Sequence, residues 1–216
     1  MELVLKDVTY VHSPSTPFER KVKIRGKLTV ESGKLVLLTG KNGSGKTTIL
    51  QIAAVLLKPL SGEISIDGED PWRDPWKFRR LIGFSFQFPE NQFFEMRVFD
   101  EVVFAPKNFG LDDLEERYEK AMGIAGLDPK VYRDRLPFAL SGGEKRKVAI
   151  ASIISHDPEI LILDEPLVGL DLPSRLEILD FLKSWKEMGK SALVATHRVE
   201  DFKEIADGIF DLDQNS

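Results

Sequence analysis

Along the first part of the chain, apolar residues come in short runs divided by turn-forming ones. Residues 3–10 and 21–30 are strand-like, and the stretch between them, His12-Ser-Pro-Ser-Thr-Pro17, reads as a loop. Residues 35–39 form an uninterrupted apolar run closed by Gly40, the pattern of a buried strand. Residues 46–57 change to helical spacing and stop ahead of Pro59, and residues 63–66 followed by Asp67-Gly68 predict a strand and turn. From 88 to 157 charged and apolar positions alternate at helical period, with no strand pattern. Beyond that come a strand at 160–163, a helix at 174–186, a strand at 192–196, a helix at 199–206 and a strand at 209–212. Such alternation predicts an α/β architecture, a parallel sheet between helices, interrupted by a helical insertion.

Composition narrows the chemistry. A length of 216 residues suits one domain with a sizeable core. The net charge of −5 lacks the basic excess of a nucleic-acid binder, so no nucleic-acid partner is expected. Cysteine is absent, which excludes disulfides, thiolate metal sites and cysteine nucleophiles and is compatible with a reducing compartment. The early acidic residues do not read as a signal peptide, and no run approaches the roughly 20 apolar residues that span a bilayer. Work at a membrane would therefore need another chain to hold this one there.

Gly40-Lys41-Asn42-Gly43-Ser44-Gly45-Lys46-Thr47, with Thr48 next, fits a phosphate-binding loop in the required place, between a buried strand and a helix. Glycines let backbone N–H groups turn inward together onto phosphate oxygens. Lys46 is expected to reach the β- and γ-phosphates and the Thr47 hydroxyl to ligate Mg²⁺, with the positive helix end behind them. The apolar run Ile160-Leu-Ile-Leu163 ends in Asp164-Glu165-Pro166. In a parallel sheet the carboxyl ends of strands form the ligand edge, so Asp164 would hold Mg²⁺ through water and Glu165 would act as general base.

Leu140-Ser141-Gly142-Gly143-Glu144 precedes a helical run over 145–154, and Ser141 is a natural N-cap for it. Together these three motifs resemble the ATP-binding cassette (ABC) ATPases. The resemblance implies an α/β P-loop NTPase core with a parallel sheet, a small antiparallel β subdomain and an inserted α-helical subdomain. The core would be residues 1–87 and 158–216 and the helical subdomain about 88–157 of a single domain spanning 1–216. It implies ATP and Mg²⁺ as cofactors. It also implies that Ser141, Gly142 and Gly143 clamp the γ-phosphate of ATP held by a second cassette, making a dimer obligatory for hydrolysis. By the same resemblance Gln87 senses Mg²⁺ and the attacking water, Asp171 in Gly169-Leu-Asp171 crosses the dimer interface, and His197 contacts the γ-phosphate. The family's adenine-stacking aromatic falls, counted from Val8, on His12. Tyr10 and Phe18 lie nearby, and any of the three has a ring to stack on the base.

Three further stretches resemble the energy-coupling factor branch of that family: Thr16-Pro-Phe-Glu19, Gln87-Phe-Pro-Glu-Asn-Gln-Phe-Phe94 and Asp100-Glu-Val-Val-Phe-Ala-Pro-Lys-Asn-Phe-Gly110. That likeness implies an importer of a vitamin or metal ion, peripheral on the cytoplasmic side of the cell membrane, paired with a second ABC ATPase subunit and with integral membrane subunits. The helical tail common in the branch is not seen within these 216 residues. Eight of the 14 phenylalanines, Phe84 to Phe109, crowd one segment. They predict a groove for a partner's helix, a core for the insertion, or about half of each. Trp72 and Trp76 are expected to pack, and the acidic run 112–116 to be a solvated helix face. The alternatives are an ATPase of another ABC transporter class, or an ABC ATPase acting on ribosomes or DNA, a type that usually carries paired cassettes and a more basic face.

Overall fold

The computed structural model describes residues 1–88 and 92–215. Pro89, Glu90 and Asn91 of the branch motif, and Ser216, lie outside the described residues. Nine strands run β1 (Leu3–His12), β2 (Arg20–Lys23), β3 (Lys27–Val30), β4 (Leu35–Thr39), β5 (Ser61–Ile66), β6 (Ile82–Ser85), β7 (Ile160–Asp164), β8 (Ser191–Ala195) and β9 (Gly208–Asp211) among the described residues. The α-helices are α1 (Lys46–Ala53), α2 (Pro75–Arg79), α3 (Val98–Asn108), α4 (Leu114–Ile124), α5 (Pro129–Tyr132), α6 (Gly142–Ile154) and α7 (Leu172–Glu187). Helices α3 to α6 fall between β6 and β7, where the helical insertion is expected.

A parallel sheet, in the order β6-β7-β8-β4-β9, forms the centre. Its strands read as continuous apolar runs because both faces are covered. Leu35, Leu37, Leu161, Leu163, Ala192 and Val194 point into one core with α3, α4, α6 and α7. The alternate residues Val36, Leu38, Ile160, Ile162, Leu193 and Ala195 join a second core with α1 and the antiparallel strands. The expected helix-covered sheet is thus helical on one face, while the other is shared by α1 and a second sheet. In that sheet β1 pairs antiparallel with β2, β3 and β5.

Three local expectations are corrected. The segment over 21–30 is two strands, β2 and β3, parted at Gly26, whose φ is 84°. Helix α1 stops at Ala53 instead of 57. Val55 takes a φ of 57°, and the N–H groups of Leu56 and Leu57 both turn back to Gln51 O, at 2.8 and 3.2 Å. The helix expected over 199–206 is a 3-10 turn, Val199–Phe202, held mainly by i to i+3 bonds. One turn of apolar spacing fits either helix type, and the chain must enter β9 directly afterwards. Of the crowded phenylalanines, Phe93 is buried, Phe88, Phe94 and Phe104 are exposed, and the other four are half-buried. Trp72 packs on the second core as expected, whereas Trp76 stays exposed and touches Phe109 edge-on. The acidic run is solvated, with Glu115 paired to Arg133.

Candidate active site

The carboxyl ends of β4, β7 and β8 open on one edge of the sheet. From β4 the chain enters the loop 40–45, which turns by left-handed backbone at Gly43 (φ 81°) and Gly45 (φ 103°) and delivers Lys46 and Thr47 into the first turn of α1. Only glycine adopts such angles without strain. Lys46 is buried, and its ammonium folds back over the loop, donating to Gly40 O at 2.8 Å and Lys41 O at 3.2 Å. The Lys41 N–H is held by Asp213 Oδ2 at 3.0 Å. The buried Ser44 Oγ has no hydrogen-bond partner among the described residues.

Strand β7 delivers the two carboxylates. Thr47 Oγ1 donates to Asp164 Oδ2 at 2.6 Å, placing two hard oxygen donors side by side. Burial pushes the Asp164 carboxyl up from its ordinary value, and that hydrogen bond opposes the shift. No cluster of three or more acidic or imidazole groups suited to a cation occurs among the described residues. Mg²⁺ does not require one, since it commonly takes one or two protein oxygens and completes its shell with water and phosphate. The Thr47–Asp164 pair fits that ion.

Glu165 follows in left-handed backbone with a φ of 47°, a costly conformation for a side-chain-bearing residue and one that concentrates at working sites. Its N–H donates to Ala195 O on β8 at 2.9 Å, which ties the turn to the neighbouring strand. Two residues past β8, His197 Nδ1 lies 3.0 Å from Glu165 Oε1. These groups line one cleft of about 490 Å³ with Asn42, Gly43, Gly45, Thr48, Gln87 and His12. His12 Nε2 is 2.8 Å from Thr48 Oγ1 and its ring packs edge-on against Tyr10. Of the three adenine candidates, His12 lines this cleft. Tyr10 borders a neighbouring hollow, and Phe18 is 83% exposed.

Ser141 caps α6 as its residue type predicts, and does so reciprocally. Its Oγ accepts from Glu144 N at 3.4 Å, and its own N–H donates to Glu144 Oε2 at 2.8 Å. Hydrogen bonds from Ser141 and Tyr132 hold the Glu144 carboxyl down at about 2. Ser141, Gly142 and Gly143 border a separate hollow of about 410 Å³ with Gly169, Leu170 and Asp171. Asp171 caps α7 through Oδ1, which accepts from Ser174 N at 3.1 Å. Among the described residues, none lines both this hollow and the Lys46 cleft.

Sequence reading gave no role at the cleft to four residues that line it or brace its surroundings. Arg20 lines it. Arg146, buried on α6, donates to Phe86 O at 3.1 Å and Gln87 O at 2.5 Å. Gln92 spans Ser85 of β6 and Ala149 and Ser152 of α6. Asp213 anchors Lys41. The contacts of Arg146 and Asp213, and those of Gln92 with α6, cross long sequence separations, and no local pattern marks such contacts.

Residues 25–168 match the family model described as ABC transporter. The chain belongs to the ABC transporter family. Among curated relatives, the energy-coupling factor transporter ATP-binding protein EcfA2 of Thermotoga maritima is 47% identical over 201 residues, covering 93% of this chain and 75% of that protein. EcfA2 of Clostridium acetobutylicum is 40% identical, with 97% and 76% covered. Among solved structures, the cassette resembles cbiO1 from Clostridium perfringens, part of the ABC transporter complex cbiONQ. That likeness has a TM-score of 0.82 at 31% identity, over 97% of this chain and 83% of that one. It also resembles the dimeric ATP-binding cassette MJ0796 in a post-hydrolysis state bound to ADP and Pi, with a TM-score of 0.84, 27% identity and coverage of 97% and 93%. The ABC ATPase fold and the family resemblance drawn from the three motifs are thereby borne out. So is the likeness to the energy-coupling factor branch, whose name the curated relatives carry.

Proposed function

We propose that this cassette is the ATP-hydrolysing subunit of an energy-coupling factor importer for a vitamin or metal ion, coupling closure and reopening of a cassette dimer to transport. One observation carries the reading. The cleft gathers Lys46, Thr47, Asp164, Glu165 and His197, while Ser141 to Gly143 stand in a hollow of their own. That separation suits a site completed by a second cassette, identical or paralogous.

Each residue has a role that its position supports. The backbone of residues 40–45 cradles phosphate, and Lys46 leaves its carbonyl partners to take the β- and γ-phosphates. Mg²⁺ held beside Thr47 and Asp164 would neutralise charge on the phosphate oxygens. Glu165, oriented by His197, accepts a proton from the attacking water, and Gln87 orients that water. The other ring nitrogen of His197 has no partner among the described residues and is available to contact the γ-phosphate, and His12 flanks the base. Ser141, Gly142 and Gly143 clamp the partner's γ-phosphate, with Asp171 at the same interface.

No helix among the described residues is long and apolar enough to cross a membrane. Attachment on the cytoplasmic side would be made through integral membrane subunits, a reading supported by the likeness to energy-coupling factor transporter subunits. The exposed rings of Phe88, Phe94 and Phe104, the last two in edge contact at 4.3 Å, suit a partner's apolar helix. Residues 1–87 and 158–216 would act as the core, and about 88–157 as the arm that passes motion on. The decisive test is Glu165→Gln with ATP and Mg²⁺, followed by light scattering and phosphate release. Expected are retained ATP binding, an ATP-dependent dimer and turnover reduced by at least about a hundredfold. Unimpaired hydrolysis would refute the assignment of the base.

A further inference from the structure

Strand β2 and the arginine at its start are unused by the roles above. Pairing of β2 with β1 sets Arg20 opposite His12 and Val22 opposite Tyr10. Alternate residues of a strand face the same way, so Arg20 and Val22 share a face, and that face lies along the phosphate loop. A side chain on Gly45 would come within 2.4 Å of Val22 Cγ1, and one on Gly43 within 3.2 Å of Arg20 Nη2. Two strand residues, two positions apart, thus lie over two loop glycines with the same spacing. Val22 is buried and fixes the strand in place, while the guanidinium of Arg20 lies over Gly43 and borders the cleft. No carboxylate among the described residues is paired with Arg20. A fork of N–H donors left without an anion beside a phosphate loop is suited to phosphate oxygens.

We infer that Arg20 binds the α- and β-phosphates of the nucleotide, the portion that stays in place when the γ-phosphate leaves. This rests on the nucleotide reading proposed above. Position selects these phosphates. Asp164, Glu165 and His197, at the ends of β7 and β8, mark the end of the cleft where the transferred group reacts. Arg20 belongs to the β1–β2 hairpin, opposite His12, and overlies the middle of the loop whose N–H groups face the α- and β-phosphates. A contact with the non-transferred part is equally strong before and during reaction. It therefore lowers KM and leaves kcat alone.

The test is nucleotide titration by calorimetry, alongside steady-state hydrolysis, for the unaltered chain, Arg20→Ala and Arg20→Lys. A charge-assisted hydrogen bond at a solvent-exposed position is worth about tenfold in affinity. Arg20→Ala is expected to weaken ADP and ATP alike by that factor, to raise KM for ATP correspondingly and to hold kcat within about twofold. Arg20→Lys is expected to recover part of the loss, and AMP, lacking the β-phosphate, to respond less than ADP. Unchanged ADP affinity in Arg20→Ala, beside normal binding by the unaltered chain, would overturn the inference alone. So would a fall in kcat with ADP affinity kept, which would move Arg20 to the γ-phosphate or the dimer contact. Failure of the unaltered chain to bind ADP would overturn the nucleotide reading and this inference together.

Discussion

At the scale of single residues, the most informative group outside the cleft is His156. It is buried where α6 runs out toward β7, with Nε2 3.2 Å from Ile82 O and its ring against Phe109. Burial pulls its pKa down from 6.5 to about 4, with Asp157 nearby opposing and Lys190 and Arg117 assisting. The native ring thus stays neutral while the unfolded chain takes up a proton near 6.5. Stability contributed by this residue is whole above that value and is lost as pH falls from about 6.5 toward 4. His156→Gln, which keeps an amide donor for Ile82 O, should flatten the acid limb of stability by about one proton. Urea unfolding at pH 7 and pH 5 checks it, and an unchanged pH dependence would dismiss His156 as its source. How well residues could be read from the sequence divides by reach. The phosphate loop and Ser141 were plain because glycine and a capping hydroxyl answer local backbone demands. Arg146 and the α6 contacts of Gln92 were not, since those contacts span 59 to 60 and 57 to 60 residues along the chain.

At the scale of elements, α6 links the two chemistries. Its first turn presents Ser141, Gly142 and Gly143 to one hollow, and its second sends Arg146 to the carbonyls of Phe86 and Gln87, at the rim of the other. A shift of this helix would therefore pull on the backbone of Gln87, which lines the Lys46 cleft. Replacing Arg146 by methionine keeps an unbranched, flexible stem but removes the guanidinium and strips both carbonyls of a charged donor. The expected cost is about 2–3 kcal/mol in unfolding free energy, because the carbonyls lose a strong partner in a buried setting. Hydrolysis should fall more than nucleotide affinity does, read as kcat against Kd for ADP. Equal losses in both would argue that Arg146 serves packing only. Elements were legible where periodicity ran long, as in α6 and β7. They were misjudged where one turn had to decide, as at 199–206, or where a left-handed residue cut a pattern short, as at Val55.

At the scale of the whole molecule, the two hollows have separate linings yet stand on elements that share one core. Leu161 and Leu163 of β7 and Val148 to Ala151 of α6 lie in the same apolar cluster, so the carboxylate strand and the serine-led helix are packed as one body. The alternation of strands and helices along the chain foretold a parallel sheet with helices, but not that a second sheet would share one face with α1. The antiparallel strands were legible as strands, but not their placement across α1, which depends on pairing between distant segments.

The two separate hollows make intersubunit complementation the natural genetic assay. A copy with Lys46→Ala lacks a working loop, and a copy with Ser141→Arg lacks a working clamp, so each alone should be inert. If two copies of this chain pair with each other, mixed dimers reunite one sound loop with one sound clamp. An equimolar blend of the two inert proteins should then recover about a quarter of unmodified turnover, from half the dimers bearing one competent site of two. A blend as silent as its ingredients would mean that the physiological companion is a paralogue, or that the clamp is not borrowed at all.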